Sequence, residues 1–198
     1  MNAKSNQRNG RKEGSIMLQT TKFSPNQQGG EDYQINQLLQ DFQLALDMLD
    51  DFDHQRLAKA SGATDTYHLT YDECRKVIDS MSFGSQSTLF GVEKDKSFGS
   101  SIGAIYQTAF GKDVYPTTLE KSAHLLYFLT KNHSFVDGNK RIAAAIFVYF
   151  MHKNNMLYNT DHTKRIADQT LVALTVMVAQ SRPEEKDLMI DLIINLIK

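Results

Sequence analysis

The stretch His133–Arg141 reads HSFVDGNKR and joins two segments of different pattern. Before it, TTLEKSAHLLYFLTKN carries Leu119, Ala123, Leu126 and Leu129 at helical spacing, and Thr117 with Glu120 forms a capping box after Pro116. This predicts a helix that ends near Asn132. After it, Ile142–Met151 is an apolar run of ten residues with no polar face, which predicts a helix buried on all sides. The quoted residues are then the joint between two core helices.

Asp137, Gly138 and Asn139 make a turn whose following backbone N–H groups have no intrahelical partners, and the helix dipole adds positive potential there. A phosphate suits such a place. Arg141, on the first helical turn, can reach the same anion with a charged fork of donors. Asp137 offers a hard oxygen for Mg²⁺ shared with phosphate oxygens. An imidazole titrates near neutrality, so His133 could take a proton from an attacking hydroxyl. Taken singly, a His before an Asp-Gly-Asn turn is usually a satisfied polar group in a loop. Together, a base, a carboxylate and an anion-binding turn at one helix entrance point to nucleotide chemistry.

HSFVDGNKR resembles the signature of the Fic/Doc family (filamentation induced by cyclic AMP, death on curing), whose usual form is HxFx(D/E)GN(G/K)R. The resemblance runs from about Asp47 to the C-terminus and is strongest to the virulence-associated bacterial Fic proteins. It implies an all-α fold, the Fic helical bundle with a short β-hairpin flap. It also implies a protein adenylyltransferase that uses ATP and Mg²⁺ to move AMP to a Ser, Thr or Tyr hydroxyl of a target protein. Carried over residue by residue, His133 is the general base and Asp137 the Mg²⁺ ligand. Gly138 and Asn139 shape the anion hole, Lys140 and Arg141 face the phosphates, and Phe135 anchors the motif loop in the core. Two departures bear on the reaction. Lys140 stands where the common AMP-transferring form has Gly, and Ala144 stands where it has a second Arg; Lys at the first of these belongs to the Doc branch, which includes a protein kinase. A Doc-like transfer of the γ-phosphate and a non-catalytic helical interaction module are the alternative readings.

At 198 residues with 41% hydrophobic content, the chain can bury one sizeable core. A formal net charge of −1 gives no global basic field, so nucleic acid is not an expected partner. Cys74 is the single cysteine, which excludes an internal disulfide and reads as a small buried apolar residue. The absence of an apolar run of about 20 residues argues against a membrane span. With no signal-like apolar segment at the N-terminus, cytoplasm is the expected location. The resemblance adds an antitoxin or other separate regulator as an expected partner, alongside the target protein.

Residues 1–30 are rich in Asn, Gln, Gly, Ser and Lys and read as a mobile tail, with residues 31–198 as the Fic domain and its N-terminal helical extension. Ile35, Leu38, Leu39, Phe42, Leu46, Leu49 and Phe52 lie at helical spacing, expected as a core face, with homodimer contact as the alternative use. Asp65–Ser82 has a helical middle with Cys74, Val77, Ile78 and Met81 as its apolar face. Residues 84–103, GSQSTLFGVEKDKSFGSSIG, have four glycines and no helical period, so they read as a loop or hairpin. By the resemblance, this is the flap that docks the target through an exposed strand edge, at Lys94, Asp95, Lys96, Ser97, Phe98, Gly99 and Ser100. Ser181 with Glu184 reads as a capping box opening the last helix, in preference to an inhibitory Ser181–Glu185 pairing. His124, His152 and His162 lack metal-ligand spacing and read as packing or surface residues.

Overall fold

The computed structural model describes residues 28–82 and 87–198. The expected tail over residues 1–30 lies outside these, save for its last three positions, which open α1 (Gln28–Asp41). The chain divides into two compact units after Gln43. In the first, Ile35, Leu38, Leu39 and Phe42 are exposed.

The second unit begins within α2 (Gln43–Asp53), where Leu44, Leu46 and Leu49 are exposed and only Phe52 packs on the core. The apolar stripe expected to be a core face is therefore largely solvent-facing. The later helices pack chiefly on one another, and of the apolar stripe only Phe52 joins their core. An ion pair of Arg56 with Asp51 (3.3 Å), together with one to Asp50, ties down the C-terminal end of this helix.

Helix α3 (Tyr71–Ser82) starts at a reciprocal cap, in which the Thr70 N–H donates to Glu73 Oε2 (3.0 Å) and the Glu73 N–H to Thr70 Oγ1 (3.3 Å). Cys74 and Ile78 are fully buried on its inner face, with Val77 and Met81 packed beside them. Burial pushes the Cys74 thiol up to about 12.

Helix α4 (Ser97–Ala104) is a correction to the sequence reading, since the second half of the expected loop is helical. Phe98, Ile102 and Ile105 recur at i, i+4 and i+7 and are buried, and that burial overrides the low helix propensity of Gly99 and Gly103. The β-hairpin is present but lies further on, as β1 (Thr108–Ala109) paired antiparallel with β2 (Lys112–Asp113). Its loop residues Phe110 and Gly111 both have positive φ (53° and 76°), as a type I′ turn requires.

Helix α5 (Thr118–Asn132) carries the predicted capping box, with the Thr117 N–H donating to Glu120 Oε2 (2.8 Å) and the Glu120 N–H to Thr117 Oγ1 (3.2 Å). It is the axis of the bundle, packed by α4, α6 (Asn139–Lys153), α7 (Asp168–Gln180) and α8 (Lys186–Ile197). Burial extends to its polar residues. Lys121 is 2% exposed and donates to Asp113 Oδ2 (2.8 Å) and the Tyr115 carbonyl (2.6 Å), which fastens the exit of the hairpin. His124 stacks on Tyr115 at 3.7 Å, and burial lowers its pKa.

Helix α6 buries Ile142, Ala143, Ile146, Phe147, Phe150 and Met151 against α3, α5 and α7. Each fully buried large side chain contributes about 1.5–3 kcal/mol. The cap ahead of α8 sits one residue later than the sequence suggests. The Arg182 N–H donates to Glu185 Oε2 (2.7 Å), and the Arg182 guanidinium holds the same carboxylate at 3.0 Å. Glu185 is thereby held below the usual carboxylate range, and Ser181 closes α7 by donating to the Val178 carbonyl.

Candidate active site

The α5–α6 joint is built from two left-handed residues. His133 ends α5 at φ 48°, ψ 46°, and Gly138 caps α6 at φ 89°. Between them the chain reverses, and its conformation is fixed by Asn139. The Phe135 N–H donates to Asn139 Oδ1 (2.8 Å), and Asn139 Nδ2 donates back to the Phe135 carbonyl (2.7 Å). One side chain thus satisfies both backbone groups of the residue four positions earlier, as a strand partner would. Phe135 itself is buried, edge-on to Phe98 with ring centroids 4.9 Å apart. Asn139 and Phe135 therefore set the loop from behind.

The front of the loop carries the charged groups. His133 is exposed, as are Lys140 and Arg141. The first intrahelical bond of α6 is from the Ile142 N–H to the Gly138 carbonyl (2.9 Å), so the N–H groups of Asn139, Lys140 and Arg141 are free for a ligand. With the helix dipole and the Arg141 side chain, they make a cradle that would suit an anion. Asp137 accepts from the Gly138 N–H on Oδ1 (2.7 Å), while its Oδ2 lies 3.7 Å from Arg141 Nη2. Among the described residues no group of three acidic, His or Cys side chains could hold a metal by itself. A cation here would rest on the Asp137 carboxylate, phosphate oxygens and water, which is the manner of Mg²⁺.

A segment read from the sequence only as part of a loop or hairpin closes the site. Residues 90–94 run beside the motif loop, with the Gly91 N–H donating to the Asp137 carbonyl (3.2 Å), Val136 N–H to Val92 (2.9 Å) and Lys94 N–H to Ser134 (2.9 Å). From α3, Arg75 Nη1 donates to the Gly91 carbonyl (2.9 Å) and to Glu93 (3.2 Å), and the Tyr71 hydroxyl donates to Glu93 (2.7 Å). The bond to Glu93 raises the Tyr71 pKa. The ring of Phe90 is buried under Arg141, whose guanidinium carbon sits 4.6 Å from the ring centroid. The sequence carried no signal for this, since Leu89, Phe90 and Val92 are all apolar, yet Phe90 is buried while Leu89 and Val92 remain exposed.

The expected docking flap divides. Lys94, Asp95 and Lys96 are exposed, and hydrogen bonding from the Ser97 side chain, with that from the Ser97 N–H (2.8 Å), lowers the Asp95 pKa. Ser97, Phe98, Gly99 and Ser100 belong to α4 and present no strand edge. Phe98, expected at the surface, lies wholly inside the core between Tyr71 and Phe135. Ala144, half-buried on α6, leaves the second turn without a cation.

The toxin Doc of Mycolicibacterium smegmatis is 39% identical over 79 residues, a span that covers 38% of this chain. That span covers 61% of the relative's own length. No solved structure matches the chain. The model of the Fic/DOC family matches residues 54–151, which run from the end of α2 through α3, the hairpin, α5 and the motif to α6. With HSFVDGNKR inside that match, the chain belongs to the Fic/DOC family.

Proposed function

We propose that the protein is a transferase that modifies a hydroxyl side chain of a target protein with AMP drawn from ATP. The observation that carries this reading is the cradle. Three unpaired backbone N–H groups and Arg141 converge at the start of α6, one short loop from an exposed imidazole. Such a cradle stabilises charge on a phosphoryl group without rearrangement, and the imidazole supplies a proton acceptor beside it. The target's hydroxyl oxygen forms a bond to the α-phosphorus, its proton passes to His133, and the bond to the β-phosphate oxygen breaks to release pyrophosphate. Bound Mg²⁺, held by Asp137, would neutralise charge on the bridging phosphates. Lys94, Asp95 and Lys96 form the rim over which the target's chain would pass.

Phosphoryl transfer is the second reading, favoured by two observations. Ala144 leaves no cation to hold a γ-phosphate away from the cradle, and Lys140 adds one at the cradle itself. If the γ-phosphate occupies it, the same proton transfer would release ADP. The left-handed Gly138 favours AMP transfer by analogy with the AMP-transferring form of the motif. The relative named as a toxin makes a toxin–antitoxin pair the supported context, with an antitoxin as a further partner.

ATP labelled at the α or the γ position, incubated with the protein and a lysate of its source cell, tests the proposal. Label retained on a protein from α establishes AMP transfer, and label retained only from γ establishes a kinase. Retention of neither would leave a non-catalytic module as the better account.

A further inference from the structure

Phe90 lies outside the motif, yet its ring touches two of the motif's working parts. A Cβ added at Gly138 would fall 2.4 Å from Cε2 of this ring, so the ring fills the volume that any side chain at the left-handed turn would need. The other contact is with Arg141, stacked over the ring at 4.6 Å. Arg141 is otherwise exposed, and its one ion pair among the described residues, to Asp137, is long at 3.7 Å. An arginine side chain has large rotamer entropy, so an exposed Arg with one weak partner among the described residues samples many positions. The ring face supplies a surface that restricts it. The ring is itself 7% exposed and cannot withdraw, because residues 90–94 are bonded to the motif loop on one side and to α3 through Arg75 and Tyr71 on the other.

We propose that Phe90 is a positioning residue for nucleotide binding, holding Arg141 over the cradle through the face of its ring and keeping the Gly138 turn closed. This rests on the reading of the cradle as the phosphate site. A ring under an arginine at an exposed site is worth about 0.5–1 kcal/mol, which corresponds to about a 2- to 5-fold change in affinity.

The test uses Phe90→Leu, which keeps an apolar group against Gly138 and removes the π face, and Phe90→Tyr, which keeps the face. ATP affinity is measured by calorimetry on both variants and on both in the Arg141→Ala background. Phe90→Leu should weaken ATP binding about 2- to 5-fold with an unchanged melting temperature, and Phe90→Tyr should restore it. In the Arg141→Ala background, Phe90→Leu should have no further effect. An unchanged affinity in Phe90→Leu overturns the assignment, as does an equal loss in both backgrounds, which would mean that the ring acts through something other than Arg141. Failure of the unaltered chain to bind ATP at all is a different result, and it overturns the nucleotide reading of the cradle itself.

Discussion

The motif turn and the β1–β2 hairpin are both short reversals made with left-handed residues, His133 and Gly138 in one, Phe110 and Gly111 in the other. They differ in what holds them. In the motif turn, Asn139, residues 90–94 and the Phe90 ring each fix part of the backbone from outside it. The hairpin is fastened at its base, by Lys121 on Asp113 and by the Val114 N–H on the Gln107 carbonyl, while its tip residue Phe110 is fully exposed. Left-handed backbone costs a non-glycine residue about 1–2 kcal/mol wherever it occurs. Where surrounding structure over-determines it, as at His133, that strain can serve function; where solvent surrounds it, it is only a local property of a turn.

The largest effect expected from this contrast is on rate. His133→Gly removes the base while suiting the left-handed backbone, so transfer should fall by roughly 10²–10⁴ with the fold retained. Modification kinetics beside a thermal melt check it; a variant that modifies its target at the unaltered rate would remove His133 from the chemistry. The next effect is on stability and compares the two turns directly. Gly138→Ala puts a side chain at a left-handed φ and a Cβ 2.4 Å from the Phe90 ring, and should cost about 2–4 kcal/mol. Gly111→Ala has the same backbone problem with nothing within 4 Å, and should cost about 1 kcal/mol. Equal losses in urea unfolding would mean that Phe90 does not constrain the motif turn. The smallest effect is at the hairpin tip, where Phe110→Asn should stabilise by about 0.5 kcal/mol, because Asn tolerates the left-handed region. A marked loss of stability would show that the Phe110 ring is held by contacts the hairpin geometry does not suggest.

The parts legible in the sequence were those specified by neighbours along the chain. The Thr117–Glu120 box, the apolar face of α3 and the end of α5 at Asn132 each follow from residues three or four positions apart. Residues 97–104 misled because Gly99 and Gly103 weigh locally against a helix, while the burial that favours it comes from Phe135 and Tyr71, far off in sequence. The stripe on α2 misled in the opposite direction, since a helical period shows that a face exists without showing what covers it. In the site, the motif named its charged groups, but the wall that Phe90, Arg75 and Glu93 build behind them is a product of tertiary pairing. Nothing in TLFGVEK by itself assigns Phe90 to the ring beneath Arg141.

The burial of Cys74 has a practical consequence. Burial pushes its thiol up to about 12, so the reactive thiolate is disfavoured at neutral pH, and the sulfur is buried on the inner face of α3. Maleimides and mild oxidants should therefore leave the folded chain untouched. Because Cys74 is the single cysteine, a second one introduced at the exposed Val136 would be the sole reactive thiol and could carry a fluorophore. Placed on the motif loop beside the cradle, such a label would report the arrival of nucleotide or target on the native background, without a prior cysteine replacement in the core.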